Sequence, residues 1–135
     1  MPELVIDPTD LSAAVDAALA EDIGRGDQTT QATAGDSRLE IAMVARQSLI
    51  VAGMPAVAEV LARLAPEANV DIKIPEGSRV ITGTVMARIS GPAGGLLTAE
   101  RTALNMVQFM SGIATATGAF VDAIAGTDTI LLDTR

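Results

Sequence analysis

The sequence contains neither cysteine nor histidine, and these two absences exclude several kinds of site at once. Without thiols there are no disulfides and no cysteine nucleophiles, and without imidazoles the commonest general base and most zinc sites are excluded. Tyrosine and tryptophan are also absent, and phenylalanine occurs only 2 times. A surface that stacks bases or sugar rings on aromatic side chains is therefore not expected.

Positive charge is scarce as well. Lysine and arginine total 9 against 17 acidic residues, which gives a formal net charge of -8. The basic residues are scattered singly, and Lys73 is the only lysine among them. Because neutralising a phosphate backbone requires clustered basic side chains, nucleic acid is not expected as a partner. One or two well-placed guanidinium groups could still bind a small anion.

The length of 135 residues and the hydrophobic share of 49% suit one domain of ordinary size with a real core. The start of the chain, "MPELVIDPTD", lacks the basic and apolar regions of a secretory signal, so the sequence predicts a cytoplasmic protein. Residues 102–121 are uncharged over a bilayer-spanning length, but they include Asn105, Gln108 and two glycines. This composition favours buried helices over a membrane span.

The first two thirds of the chain predict a mixture of helices and short strands. Thr9 or Asp10 is expected to cap a first helix that ends at Gly24. Residues 38–52 alternate in the manner of one strand with one exposed face, and residues 54–66 predict a short helix. Residues 70–92 read as a run of short strands separated by glycine and proline turns.

The last third predicts helix and then strand. A helical pattern runs from Leu96 to about Ala125, with an expected break into two helices at Ser111 and Gly112. A buried strand is expected over residues 129–133, and helix followed by hydrophobic strand is typical of the opening of an α/β unit. The predicted class is α/β: an α+β sandwich domain over residues 1–110, then the first helix and strand of an incomplete α/β barrel over residues 111–135.

Arg101 is the first candidate binding residue. On a helical wheel it shares one side with a stripe of uncharged polar or small residues: Thr98, Asn105, Gln108 and Gly112. A solvated helix face usually carries Glu and Lys four residues apart, and this face lacks such pairs. The pattern suits a face covered by another subunit or a ligand, although an ordinary solvated face is the more frequent explanation of such a stripe.

Arg135 is the second candidate, because it follows the predicted strand "ILLD" directly and the carboxyl ends of parallel strands are where α/β folds bind ligands. Asp133 shares that position, and Thr134 lies between the two. The adjacent acids Glu21 and Asp22 are expected to close the first helix, since no His, Cys or Lys completes a catalytic set beside them.

Four segments, taken in order, resemble one family. These are "ALAEDIGRGDQTT", "GMPAVAEVL", "LLTAERTALNMVQFMSGIATATGAFVDAI" and "LLDTR". They are similar to the quinolinate phosphoribosyltransferases, also called carboxylating nicotinate-nucleotide pyrophosphorylases. The "ERTALN" and "SGIAT" block is the most specific part of the resemblance, and "DTR" supports it.

The resemblance implies a transferase of NAD biosynthesis. Such enzymes convert quinolinate and phosphoribosyl pyrophosphate into nicotinate mononucleotide, pyrophosphate and carbon dioxide with magnesium, as homodimers in which one subunit's N-terminal domain closes over its partner's barrel. Carried onto this sequence, Arg101 would reach a quinolinate carboxylate in the partner's site, and Arg135, with Thr134 beside it, would contact the same substrate. No catalytic residue or metal ligand is expected within these residues, because both would lie in a barrel that the sequence does not contain, so the chain alone should be inactive.

Three alternatives stay open on the sequence. A molybdenum-associated branch shares much of the pattern and uses another substrate. The segment "IPEGSRVITGTVMARISGP" is also similar to lipoyl or biotinyl carrier domains, which modify an exposed lysine at a hairpin tip, whereas Lys73 lies within an alternating strand. A plain dimerisation domain would have the same fold, with an Arg101 that meets no anion.

Overall fold

The computed structural model describes residues 6–24 and 35–134. Helix α1 (Pro8–Asp22) begins two or three residues earlier than predicted, with Asp7 as its N-cap. The Asp7 carboxylate accepts from the backbone N–H of Thr9 at 2.7 Å. Pro8 at the first helical position explains the difference, because its fixed φ suits that position and its missing N–H costs nothing there.

Two small sheets replace the predicted run of strands. Strands β1 (Arg38–Val44), β5 (Val85–Pro92) and β3 (Asn69–Ile72) form an antiparallel sheet in the order β1-β5-β3, and β2 (Leu49–Ile50) pairs with β4 (Arg79–Val80). Residues 38–52 are therefore two strands in different sheets and not one. Ala45 closes the β1 ladder by bonding Thr84 and Gly83 through its backbone, after which the chain turns.

The remaining helices are α2 (Met54–Leu64) and α3 (Ala93–Ala123), which pack against each other. The predicted break at Ser111 and Gly112 is wrong, since α3 is continuous over 31 residues. A glycine inside a helix costs only about 1 kcal/mol relative to alanine. That penalty is too small to interrupt a helix that is anchored by a buried face on both sides of Gly112.

The core lies between the helices and the sheets. The α1 helix contributes Val15, and the largest fully buried side chains of the other elements are Val51, Met54, Val57, Val60, Leu96 and Thr102. On α3 the residues at Leu96, Ala99, Ala103 and Val107 form one buried stripe at helical spacing. This stripe fixes the rotation of α3, and it therefore determines which side chains the opposite face presents.

The apolar face of β1 is less buried than its alternation predicts. Leu39 is 36% exposed and Ile41 is 37% exposed, and only Met43 packs against the core. The two residues line an apolar cavity of about 280 Å³ together with Leu97 and Leu104 of α3. The side chains of α3 thus approach β1 without closing over it.

The predicted strand at residues 129–133 is also wrong. These residues form no strand, and Ile130 and Leu132 are each 78% exposed. A strand requires a neighbouring edge with which to exchange backbone hydrogen bonds, and neither sheet among the described residues provides one there. None of the helices in residues 6–24 and 35–134 has the length and apolar character needed to cross a membrane.

Candidate functional site

Arg101 lies on the face of α3 that points away from the core. Its side chain is exposed, as are those of Asn105 and Gln108, while Ala99 and Ala103 on the opposite side are buried. The helical wheel thus predicted this part of the fold correctly, because the buried stripe and the polar stripe repeat with the same period.

No acidic side chain in residues 6–24 and 35–134 lies within 4.0 Å of the Arg101 guanidinium. Three other arginines do have such partners, namely Arg63, Arg79 and Arg88. The positions three and four residues from Arg101 carry Leu97, Thr98, Leu104 and Asn105, so no acid is placed to pair along the helix. Within the described part of the chain, the charge of Arg101 is available to an external anion.

The sequence predicted that Thr98 belongs to this polar face, but its hydroxyl is used within the helix. Its hydroxyl donates to the backbone carbonyl of Gly94 at 2.9 Å, one turn earlier in the same helix. A threonine that is bonded back onto its own helix has used its donor. The polar stripe is therefore carried by Arg101, Asn105 and Gln108, followed by Gly112.

A buried hydrogen bond fixes the turn of α3 that carries Arg101. The Thr102 hydroxyl, in a residue only 1% exposed, donates to the Asp22 carboxylate at the end of α1 at 2.8 Å. A hydrogen bond to an ionised acceptor is stronger than a neutral one, typically by about a factor of two. Asp22 therefore holds two helices together, in agreement with the expectation that it closes α1.

Two hydroxyl groups attach the middle of α3 to the edge of β2. The Ser111 hydroxyl accepts from the Ala52 backbone N–H and donates to the Ala52 carbonyl, both at 3.0 Å. The Thr115 hydroxyl accepts from the Ile50 N–H at 2.9 Å and donates to the Ser111 carbonyl at 2.6 Å. Together they satisfy backbone groups that a further strand would otherwise pair.

Glycine permits the close approach of α3 at two places. Gly53 has a φ of 102°, and a Cβ there would lie 3.2 Å from the Val107 Cα atom. Gly118 faces Ile50, whose side chain occupies the space that a Cβ would need. The segment Ser111, Thr115 and Gly118, which the resemblance singled out, is thus a docking surface for β2.

The start of α2 is fixed by a distant carboxylate. Glu76 accepts from the backbone N–H groups of Gly53 at 2.9 Å and Met54 at 2.8 Å. These donors have no partner inside the helix, and a carboxylate beside them also complements the helix dipole. Glu76 thereby fixes the turn at Gly53, and Gly53 in turn lies close to Val107 in the middle of α3.

A larger groove, lined mostly by apolar residues, adjoins the far end of the stripe. Its volume is about 490 Å³, and Gln108 and Gly112 of α3 face Arg46 and Gln47 across it. Arg46 is exposed and, within the described ranges, has no acid within 4.0 Å. The polar stripe therefore leads from Arg101 towards a second guanidinium with which no acid in the described part of the chain pairs.

The site residues predicted near the end of the chain are Thr134 and Arg135. Thr134 is exposed, and no hydrogen bond of the described residues involves it. Arg135 lies outside the described residues. The roles of Arg101, Thr134 and Arg135 in binding substrate stay predictions.

Two further expectations concern Lys73 and metals. The Lys73 ammonium pairs with Asp71, and its backbone N–H donates to the Met86 carbonyl at 2.8 Å, so it extends the β3–β5 ladder and does not lie at a hairpin tip. This arrangement does not suit a carrier lysine. Residues 6–24 and 35–134 contain no group of three or more acidic side chains arranged to hold a metal ion.

Sequence reasoning missed the Thr102–Asp22 bond and the attachment of Ser111 and Thr115 to β2. The first joins residues 80 apart, and the others join residues 59 and 65 apart. One local signal was present: small residues recur at positions 111, 115 and 118, a spacing that puts them on one helix face. Such a stripe indicates close packing, but it does not identify the partner.

Comparisons with known proteins agree with this arrangement. Residues 27–111 match the family described as "Quinolinate phosphoribosyl transferase, N-terminal domain". A probable carboxylating nicotinate-nucleotide pyrophosphorylase of Synechocystis is 41% identical over 134 residues, which are 99% of this chain and 44% of that protein. The carboxylating nicotinate-nucleotide pyrophosphorylase of Mycobacterium leprae is 41% identical over 87% of this chain and 43% of its own length.

The structural comparison gives the same result. The nicotinate-nucleotide pyrophosphorylase of Francisella tularensis superimposes with a TM-score of 0.89 at 34% identity, over 96% of this chain and 47% of that one. This confirms the predicted α/β class. The chain spans less than half the length of each of these relatives. By sequence and by structure, the chain belongs to the quinolinate phosphoribosyltransferase family, and residues 27–111 match that family's N-terminal domain.

Proposed function

We propose that this chain is the N-terminal portion of an enzyme that makes nicotinate mononucleotide, pyrophosphate and carbon dioxide from quinolinate and phosphoribosyl pyrophosphate. In this proposal the enzyme is a cytoplasmic transferase of NAD biosynthesis. The relatives named as carboxylating nicotinate-nucleotide pyrophosphorylases support the reaction class. Because the chain covers 44% of the Synechocystis relative, the activity is assigned to the complete polypeptide and not to these residues alone.

The observation that carries the proposal is an exposed Arg101, on a continuous helix, with which no acid among the described residues pairs. Quinolinate is a dicarboxylate, and a guanidinium group can bind a carboxylate through two parallel N–H donors. No acid among the described residues forms an ion pair with Arg101. A carboxylate of the substrate would form that ion pair instead. Binding the ring in one orientation would also direct its nitrogen towards the ribose carbon, which lowers the entropic part of the barrier.

The direction of Arg101 supports a homodimer in which the site is shared. The residue is on the α3 face opposite the buried stripe, so it points away from the core of its own domain. In the proposed dimer it enters the site of the partner subunit, whose barrel contributes Arg135, with Thr134 beside it. A site formed in this way is complete only in the assembled dimer.

Magnesium enters the proposal through the resemblance alone. The described residues provide no cluster of acids for it, so its ligands are assigned to the part of the complete enzyme outside this chain. When bound, the ion would neutralise pyrophosphate charge as that group leaves. The residues of this chain would instead bind and orient the aromatic acid.

The test uses the complete polypeptide, incubated with quinolinate, phosphoribosyl pyrophosphate and magnesium while nicotinate mononucleotide is measured by chromatography. Wild-type protein should form the product, and Arg101→Ala should lower kcat/KM by about a hundredfold or more, as expected for losing a charge-assisted hydrogen bond to a buried anion. Arg88→Ala is the matched control, because Arg88 is exposed on β5 and pairs with Glu40. Equal activity of the Arg101 and Arg88 variants would contradict the proposal, and so would a wild-type enzyme that accepts only another aromatic acid.

A further inference from the structure

The polar stripe of α3 continues beyond Arg101 with Asn105, whose side chain makes no hydrogen bond within residues 6–24 and 35–134. We propose that Asn105 is a specificity-determining residue that contacts the same anionic substrate as Arg101. The inference rests on the function proposed above and adds a residue to its binding surface. Asn105 would donate its side-chain N–H to an oxygen of the substrate, next to the guanidinium that neutralises the charge.

The position of Asn105 follows from the helix. It lies four residues after Arg101, which places it on the same face and about 6 Å further along the axis. Both side chains are exposed. An open, almost flat surface lies over this part of the helix beside Arg101, lined by Asn105, Met106, Gln108 and Phe109. A ligand held by Arg101 on this face would be within reach of the Asn105 amide.

Helix stability does not account for Asn105. Asparagine is a poor residue for a helix interior, because its short amide competes for backbone groups, and it costs about 0.6 kcal/mol relative to alanine. No hydrogen bond within residues 6–24 and 35–134 involves its side chain. The two nearby polar residues that do serve the fold, Thr98 and Thr102, each have a partner. Asn105 has a donor and an acceptor that the described fold does not use.

The uncharged character of the residue suits a dianionic substrate. An acid at this position would repel carboxylates, and a second cation would favour binding of any anion without regard to shape. An amide adds a directional donor without adding charge. The chemistry therefore favours Asn105 as a contact that orients the substrate after Arg101 has attracted it.

The test compares two isosteric substitutions in the complete polypeptide, Asn105→Asp and Asn69→Asp. Asn69 is an exposed asparagine at the start of β3, so its substitution makes the same chemical change in a different element. Asn105→Asp should raise the KM for quinolinate at least tenfold and leave the melting temperature within about 2 °C, while Asn69→Asp should change KM less than twofold. Asn105→Ala, which loses the donor without adding repulsion, should fall between them.

Ionic strength provides a second readout that a structural role would not move. The KM increase caused by Asn105→Asp should shrink as salt is raised from 50 to 500 mM, because the added repulsion is screened. Equal KM values for the Asn105 and Asn69 variants, or a loss of activity that follows only a loss of folded protein, would overturn the inference. If Arg101→Ala is impaired and Asn105→Asp is not, this inference fails alone. If the wild-type enzyme forms no product, the proposed function fails first.

Discussion

The hydroxyl of Thr102, the residue that follows the exposed Arg101 in α3, donates to the carboxylate of Asp22 at 2.8 Å. Thr102 is buried and its neighbour Arg101 is exposed, so one turn of α3 both anchors the helix and presents the candidate binding residue. A hydrogen bond that joins two helices reduces the freedom of the side chains between them. The hydrogen bond between Thr102 and Asp22 therefore helps to fix the turn of α3 that carries the candidate binding residue.

Replacing Thr102 with valine should destabilise the chain by about 1–3 kcal/mol, because the Asp22 carboxylate loses a donor in a partly buried position. The free energy of unfolding can be measured by urea denaturation. Thr117→Val is the control, since Thr117 is exposed on the same helix and should change stability by less than about 0.5 kcal/mol. Equal effects of the two substitutions would mean that the buried hydrogen bond contributes nothing.

Adjacent substitutions in the middle of α3 should have opposite signs. Ser111→Ala removes both partners of the Ala52 backbone and should cost about 1–3 kcal/mol. Gly112→Ala should stabilise by about 0.5–1 kcal/mol, because its Cβ would meet nothing within 4 Å and alanine favours helix. Thermal unfolding followed by circular dichroism measures both changes. A Gly112→Ala variant that loses stability would indicate that the helix bends or breaks there, as the sequence first suggested.

The turn before α2 should tolerate no side chain. Gly53→Ala should destabilise by about 2–4 kcal/mol, because φ is 102° and the new Cβ would approach the Val107 backbone. Gly77 is the matched control: its φ of 77° carries similar backbone strain, but nothing lies within 4 Å of its Cβ position. The difference between the two variants in urea denaturation isolates the cost of pushing α3 away from the turn.

The 135 residues by themselves should form no nicotinate mononucleotide. The relatives that they match are more than twice as long, and the described residues contain neither a metal cluster nor a histidine. The assay is the chromatographic one used for the complete polypeptide, which serves as the positive control. Product above background from the purified chain would place the catalytic machinery within these residues.

The periodicity of hydrophobic residues along the sequence correctly predicted which face of α3 is buried and which is exposed. The buried face of α3 and the exposed position of Arg101 follow from a helical period, and that period can be read without knowledge of the rest of the molecule. The first helix and the short helix after Gly53 were predicted for the same reason, with errors of a few residues at their ends, whereas the single strand predicted over residues 38–52 is two strands in different sheets.

The predictions were wrong where contacts between residues far apart in the sequence determine the secondary structure. Residues 129–133 are apolar enough for a strand, but they lack an edge to join within the described chain. Gly112 looked like a break, whereas Ser111 beside it is bonded to Ala52 and holds the helix in place. The hydrogen bond between Thr102 and Asp22 depends on how α1 packs on α3, which no local pattern specifies.

The most direct test of the shared site is a mixing experiment with two inactive variants of the complete polypeptide, Arg101→Ala and Arg135→Ala. If Arg101 acts in the partner's site, mixed dimers contain one intact site, and an equal mixture should recover about one quarter of wild-type activity after subunit exchange. Arg101→Ala mixed with itself is the control and should stay inactive. An exchanged mixture that recovers no activity would mean that Arg101 does not act across the dimer, and would contradict the account.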